Sequence, residues 1–146
     1  MSGADDRTRV MAIDPGTARC GVAVSDPLGM IATPAAPIRV GDGSRLAETI
    51  AERAAEVGAG RVLIGHPLNM DGTEGPRAAA SARLAERVRA AAPGLAVDLV
   101  DERLTTVEAE ARLVEAGRRR GDLKALKDSA AAAVLLQWWL DGAPGR

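Results

Sequence analysis

The stretch RVMAIDPGTARCGVAVS, residues 9–25, contains two short apolar segments separated by a turn. Residues 9–14 are predicted to form a β-strand, and residues 21–25 a second strand. The PGTAR sequence between them has the proline and glycine of a tight connection, which predicts an antiparallel hairpin. The first strand of this hairpin ends on a carboxylate, Asp14.

Three more strands are predicted downstream. Residues 31–40 are interrupted by Pro34 and Pro37, which predicts an irregular strand at a sheet edge. Residues 61–65 (RVLIG) and 95–100 (LAVDLV) are short apolar runs typical of strands that are buried on both faces.

Apolar periodicity predicts four helices, at residues 44–57, 76–92, 105–117 and 122–140. Ser44 is the expected N-cap of the first helix, and Thr105 with Glu108 forms a capping box for the third. The order β-β-β-α-β-α-β-α-α predicts an α/β fold with a mixed five-stranded sheet, antiparallel on one side and parallel on the other, and with helices on both faces.

Length and composition limit the class of protein. The chain has 146 residues, of which 47% are hydrophobic and 27% charged, as in an ordinary globular domain. We expect one domain at residues 9–141, a flexible N-terminal tail at 1–8 and a C-terminal tail at 142–146.

The single Cys20 cannot form an internal disulfide, the N-terminus has no signal-peptide core, and the longest apolar run is too short to span a bilayer. A cytoplasmic protein with no membrane partner is therefore expected.

Asp14 is the first of three candidate functional acids. A carboxylate at the end of an apolar strand is costly to bury unless a cation or hydrogen bonds satisfy it. Gly16 allows the backbone to approach a phosphate or a metal closely. The alternative, which the Asp-Pro-Gly tripeptide alone favours, is a turn residue that begins the hairpin.

Asp101 and Glu102 follow the last predicted strand, at the end where parallel sheets place their ligands. Adjacent residues of a strand point to opposite faces, so only one of the two can face Asp14. The pattern does not choose between them. A role in favouring the dipole of the following helix is the alternative for both acids.

Asp128 lies in the most apolar helix of the chain. Between residues 129 and 140 only Ser129 and Gln137 are polar, so this helix is predicted to be largely buried. Asp128 is expected to pack toward the sheet on the face formed by Ala131, Ala132 and Leu135. The alternative is an exposed acid in the first helical turn. Three carboxylates would be the hard oxygen ligands that Mg²⁺ or Mn²⁺ prefers.

Cations are concentrated between residues 111 and 127. This window contains six cations and two anions, a charge of +4, whereas the rest of the chain carries −5. A basic patch on an acidic body is typical of a surface that contacts nucleic acid, and a solvated helix end is an equal alternative. Since the only aromatic residues are two tryptophans, contact is expected through phosphates rather than base stacking.

Four stretches carry motifs that are specific when taken together: IDPGTARCGVAVSDPLG (13–29), VLIGHPLNMDGTEGP (62–76), VDERLTTVEAEARL (100–113) and KALKDSAAAAVLLQWWLD (124–141). In this order they resemble the YqgF/RuvX family of Holliday junction resolvases, also described as pre-16S rRNA nucleases. The resemblance covers residues 9–141. It implies a ribonuclease-H-like fold, and a catalytic, metal-binding triad of Asp14, Glu102 and Asp128 with Mg²⁺ or Mn²⁺.

The resemblance also bears on nucleic-acid binding. The family's basic stretch before the last helix is matched by Arg118, Arg119, Arg120 and Lys124, and Arg19 in the first turn is a further candidate. One departure is His66, which stands where the family has an apolar residue after Gly65. A histidine beside a phosphodiester could assist proton transfer, but a packed or solvated loop residue is the favoured interpretation.

These features predict a metal-dependent endonuclease that acts on structured nucleic acid. Processing of the 5′ end of pre-16S rRNA is preferred, and resolution of branched DNA is the alternative. Resolution favours a symmetric dimer. We expect a monomer or weak homodimer, because core packing explains the WWL sequence at 138–140 better than a dimer face does.

Two other classes are less consistent with the sequence. A binding module without catalysis would not need all three acids. An ATPase of the actin type needs two such domains around its nucleotide, and 146 residues supply one.

Overall fold

The structure, a computed structural model, describes residues 9–104 and 123–142, with the backbone alone at residues 104 and 123–128. Five strands are present: β1 (Arg9–Asp14), β2 (Arg19–Ser25), β3 (Ala32–Arg39), β4 (Ala59–His66) and β5 (Ala96–Asp101). The described helices are α1 (Leu46–Val57), α2 (Pro76–Ala91) and α3 (Leu123–Leu140). A single 3₁₀ turn, Glu102–Leu104, follows β5.

The strands form one sheet in the order β3-β2-β1-β4-β5. Strands β1, β2 and β3 pair antiparallel because short turns connect them. Strands β4 and β5 pair parallel to β1 and β4, respectively, because α1 and α2 provide the crossover connections. The predicted mixed sheet, antiparallel on one side and parallel on the other, is confirmed.

Each face of the sheet carries its own core. Helices α1 and α2 cover one face, where the buried side chains include Met11, Ile13, Val62, Ile64, Ile50 and Val88. Helix α3 covers the other face, with Ala12, Ala23, Leu63, Ala132, Leu135 and Leu136. The many alanines on this second face let helix and sheet approach closely. The prediction of helices on both faces is confirmed.

The structure differs from the sequence prediction at the N-cap of α1 and at the bounds of several strands, among them β4, which begins at Ala59 rather than at residue 61. Helix α1 begins at Leu46 with Arg45 at the N-cap position, and no side chain caps it. Ser44 instead donates from its Oγ to Asp42, which competes with capping, so the predicted N-cap was wrong. Strand β2 starts two residues early because Arg19 pairs with Arg39 of β3. The predicted helix at 105–117 lies outside the described residues.

The described helices are too short or too polar to cross a membrane. None of those in residues 9–104 and 123–142 has both the length and the apolar character of a membrane span.

Candidate active site at the ends of the central strands

Three parallel strands end at the same edge of the sheet. Asp14 is the last residue of β1, His66 the last of β4 and Asp101 the last of β5, with Glu102 directly after it. The registers of the parallel pairs place these ends side by side, with His66 opposite Asp101. The carboxyl ends of parallel strands are the usual place for a ligand site in an α/β sheet.

Glu102 extends over the neighbouring strand β4 toward Asp14. Its Oε2 lies so close to Gly65 that a Cβ added there would be 2.5 Å away. Because β4 lies between β1 and β5, only a residue without a side chain leaves this path open. Sequence reasoning missed this role of Gly65, although a glycine at the end of a buried strand is the signal that was available.

Asp101 has a different partner. Its carboxylate accepts hydrogen bonds from Nε (3.1 Å) and Nη2 (2.8 Å) of Arg103, and from the Arg103 backbone N–H (2.9 Å). These bonds favour the charged form and hold the pKa of Asp101 below its ordinary value. Glu102 therefore lies beside Asp14, whereas Asp101 is bonded to Arg103 in the loop that follows β5.

Asp14 and Glu102 form a desolvated pair of like charges. Burial raises the pKa of Asp14, and the guanidinium of Arg77 partly opposes the rise. Burial also raises the pKa of Glu102, the charge of Asp14 raises it further, and Arg77 again opposes. Two half-buried carboxylates near one arginine are costly to ionise together, and a divalent cation between them would remove that cost.

The third predicted acid, Asp128, lies in α3. Its backbone is described and its side chain is outside the described residues. Among the side chains that are described, no group of three His, Cys, Asp or Glu residues comes together as a metal-binding cluster.

The residue after Asp128 fixes this part of the helix to the sheet. Ser129 is buried and has non-helical backbone angles, φ −123° and ψ 20°, which mark a kink in α3. Its Oγ accepts a hydrogen bond from the Val22 N–H (3.0 Å) and donates one to the Ala35 carbonyl (2.8 Å). Val22 follows Gly21, the register partner of Asp14, so the kink lies beside the acidic end of β1.

The face of α3 that packs on the sheet differs in part from the prediction. Ala132 and Leu135 are buried as predicted, whereas Ala131 is exposed. The buried face is formed by Ala132, Ala133, Leu135 and Leu136, and Ala131 lies outside it, so the prediction for Ala131 was wrong. Sequence reasoning treated Ser129 only as a polar exception in an apolar helix.

His66 lies next to the acids but is paired with another side chain. Its Nε2 is 2.9 Å from Oε2 of Glu74, and 16% of the side chain is exposed. The geometry fits a packed loop residue more directly than a proton donor to substrate.

The loop after β4 is held in one conformation by its own hydrogen bonds. Asn69 and Thr73 are joined through backbone and side-chain bonds of 2.9 Å, and Asp71 accepts from Thr73. Arg103 Nη1 donates to the Met70 carbonyl (3.1 Å), which ties the loop to the end of β5. The Met70 side chain is 91% exposed at the tip.

The predicted nucleic-acid-binding residues are only partly described. Arg19 is exposed at the start of β2, paired in register with Arg39, at the same sheet end as Asp14. Arg118, Arg119 and Arg120 lie outside the described residues, as does the side chain of Lys124. Arg77, which the sequence reasoning missed, donates to the Pro15 carbonyl at 3.3 Å and faces both acids.

The chain is similar along most of its length to known proteins. A family model described as "RuvX: Holliday junction resolvase" matches residues 8–142. A Nocardioides protein named "Putative pre-16S rRNA nuclease" is 46% identical over 135 residues, covering 90% of this chain and 86% of its own. A Myxococcus xanthus protein of the same name is 43% identical over 133 residues, covering 91% and 87%.

The fold is similar to that of a solved structure. Thermus thermophilus RuvC, titled "T. thermophilus RuvC in complex with Holliday junction substrate", matches with a TM-score of 0.57. The match covers 93% of this chain and 97% of that one at 18% identity. This likeness confirms the ribonuclease-H-like fold that the motifs implied.

Proposed function

Because this chain belongs to the RuvX family, we propose that it is a divalent-metal-dependent endonuclease that matures the 5′ end of pre-16S rRNA. The observation that carries the proposal is the desolvated pair of Asp14 and Glu102 at the ends of parallel strands. The choice of RNA is supported by the relatives named as pre-16S rRNA nucleases, which match along most of their own length. Such an enzyme would work in the cytoplasm.

The residues present fit a divalent metal. Both described acids supply hard oxygen ligands, and the space over Gly65 accommodates the carboxylate of Glu102. Asp14 and Glu102, together with Asp128, would hold Mg²⁺ or Mn²⁺. When bound, the metal would make a water more acidic and neutralise negative charge that develops on the phosphate.

The chain's own side chains account for the rest of the site. Among the described side chains, Arg77 is the arginine whose positive charge acts on both acids, so it can balance the site before metal enters and contact the phosphate afterwards. Gly65 leaves the path of Glu102 open, and Ser129 anchors the helix that carries Asp128. Together these residues would position the reacting phosphate. The water that hydrolyses it would not be supplied by them.

The test is a substrate panel with matched variants. Purified protein with Mg²⁺ or Mn²⁺ is incubated with a precursor of 16S rRNA and with a four-way DNA junction. We expect cleavage of the precursor, and a loss of at least about a thousandfold in D14N and E102Q, since several kcal/mol of transition-state stabilisation would be removed. D101N is the control acid and should lose far less. Cleavage of neither substrate, or full activity in D14N, would refute the proposal.

Junction resolution is the second candidate, because the matching family model is described by that activity. It requires two active sites in one particle, and therefore a dimer. Trp138, Trp139 and Leu140 are partly buried against the core beneath α3, which favours a packing role and a monomer or weak homodimer. Cleavage of the junction by a sedimenting dimer, with no cleavage of the precursor, would favour this candidate over the first.

A further inference from the structure

A cavity of about 410 Å³ opens beside the acidic pair, on the side of the sheet that α2 covers. One wall is the β1–β2 turn, residues 15–17, and a second wall is formed at the start of α1 by Gly43 and Leu46. The third wall is one side of α2, which contributes Arg77, Arg83, Arg87 and the small residues Ala80 and Ser81. The predicted binding residues do not include any of these arginines.

The three arginines form a row along α2. They are all exposed and they all line the cavity. Arg83 and Arg87 lie one turn apart on the same side of α2, and Arg77 lies about a quarter to a third of a turn around the helix from them. Ten residues separate the first from the last, a rise of about 15 Å along the helix axis. We call Arg77, Arg83 and Arg87 the α2 arginine row.

The row begins at the acids. Arg77 donates to the Pro15 carbonyl, and its charge opposes the rise that burial causes in the pKa of both Asp14 and Glu102. Its charge therefore lies next to the proposed reaction centre. From there Arg83 and Arg87 continue along the cavity wall, away from the acids. A groove that is lined by positive charges and leads away from a cleavage site is suited to bind a polyanion.

Arg83 and Arg87 differ in their contacts from the remaining arginine of α2. Neither makes a hydrogen bond or an ion pair within residues 9–104 and 123–142, as far as side chains are described there. The other α2 arginine behaves differently: Arg89 bonds to Glu86 and donates to the Val97 carbonyl at 2.7 Å. Within the described part of the chain, the guanidinium groups of Arg83 and Arg87 are therefore available to a ligand in the cavity.

We propose that this cavity binds the phosphate backbone of the substrate strand that adjoins the cleaved bond, with Arg83 and Arg87 contacting successive phosphates. The inference rests on the proposed nuclease function and adds a substrate-binding groove to it. The rise from Arg83 to Arg87 is about 6 Å along the helix axis, so the two guanidinium groups can contact neighbouring phosphates of one strand. The walls contain no aromatic ring, so the contacts are to phosphate and sugar, and binding here does not depend on base sequence.

The test measures binding separately from cutting. In a D14N background, which prevents cleavage, the affinity for a fluorescent RNA is measured over a range of salt concentrations. We expect R83A/R87A to lower the affinity at least tenfold and to reduce the log–log salt slope by about 1.4 to 1.8, since each phosphate contact contributes about 0.7 to 0.9. R83K/R87K keeps both charges and should keep most of the slope.

The matched control removes two arginines at the opposite end of the sheet. Arg9 and Arg61 lie at the starts of β1 and β4, where they contact the Val57 carbonyl and Asp98. R9A/R61A changes the net charge equally, so it corrects for long-range electrostatics. Melting temperatures of all variants verify folding, and RNAs of two unrelated sequences verify that the loss does not depend on sequence.

Each outcome distinguishes the groove from the nuclease activity. An affinity and a salt slope for R83A/R87A that equal those of R9A/R61A would overturn the groove, even if the protein cleaves RNA. Weaker RNA binding in R83A/R87A, together with no cleavage by the parent protein, would leave the groove standing and refute the nuclease. Saturable binding of inorganic phosphate at this site with no effect on RNA affinity would also overturn the groove.

Discussion

The carboxylate of Glu102 occupies the space above Gly65, where a Cβ would lie 2.5 Å from Oε2. This relationship links two strands of the sheet: Gly65 is the next-to-last residue of β4, and Glu102 follows β5. It explains how an acid at the end of β5 can reach Asp14 on β1, although β4 lies between these two strands. The path depends on the absence of a single methyl group.

The first prediction is that G65A damages the site more than the fold. The added methyl group must displace Glu102, so we expect metal affinity and cleavage to fall about 10- to 100-fold. The cost in unfolding free energy should be about 1–3 kcal/mol, typical of a small overpacking. Calorimetry with Mn²⁺ and thermal melting measure the two effects. G94A is the control, since a Cβ there meets no atom within 4 Å; equal metal affinity in both variants would contradict the prediction.

The second prediction concerns the dependence of stability on pH. The pKa of Asp14 is raised above its unfolded value of 3.8, so the unfolded chain releases this proton first as the pH rises. Ionisation of Asp14 therefore destabilises the folded state at neutral pH, and the effect disappears below about pH 3.8. Without metal, D14N should be more stable than the parent protein at pH 7 and equally stable at pH 3.

Chemical denaturation at the two pH values measures this difference. Divalent metal should reverse the order at pH 7, because binding to the folded state stabilises the parent protein by about 2.7 kcal/mol at a hundredfold excess over Kd. E102Q should behave in the same way, since burial and Asp14 raise the pKa of Glu102. D14N that is less stable than the parent in metal-free buffer at pH 7 would show that the carboxylate is satisfied in another way.

The third prediction is that Ser129 positions Asp128. S129A leaves the Val22 N–H and the Ala35 carbonyl without their partner, which should cost about 1–3 kcal/mol of unfolding free energy. Gln137 is a matched control, because it makes equivalent bonds from α3 to Ala32 and Met30 two turns further on. Both S129A and Q137A should lower the melting temperature.

Only S129A should also weaken Mn²⁺ binding, because only Ser129 adjoins Asp128. Calorimetry at a temperature where both variants are folded separates this effect from stability. Equal Mn²⁺ affinity in S129A and the parent protein would assign Ser129 a purely structural role.

The fourth prediction is that Arg103 restrains the loop at residues 69–73. R103A removes the bond to the Met70 carbonyl and the bonds to Asp101. We expect backbone hydrogen exchange in this loop to be about fivefold faster, as the loss of about 1 kcal/mol implies. The pKa of Asp101 should return toward its ordinary value. R45A removes only an exposed ion pair with Glu52 and should leave exchange in this loop unchanged.

Local patterns were sufficient for most of the fold. The apolar run before Asp14, the turn at PGTAR and the short runs at 61–65 and 95–100 each predict a strand from neighbouring residues alone. Strand and helix formation depends mainly on this local periodicity. The order of elements then restricts the sheet to a few topologies, because crossovers through helices are parallel and right-handed. The sequence by itself therefore determined the mixed sheet and the edge at which its acids gather.

Tertiary structure decided which residues meet at that edge. Alternation along β5 did not predict which of Asp101 and Glu102 faces Asp14. In the structure, Asp101 is bonded to Arg103, whereas the carboxylate of Glu102 lies over Gly65. The burial of Ser129 and the α2 arginine row beside Asp14 likewise depend on elements distant in sequence. Side-chain contacts across a sheet are set by packing and register, and the periodicity of one segment contains no information about either.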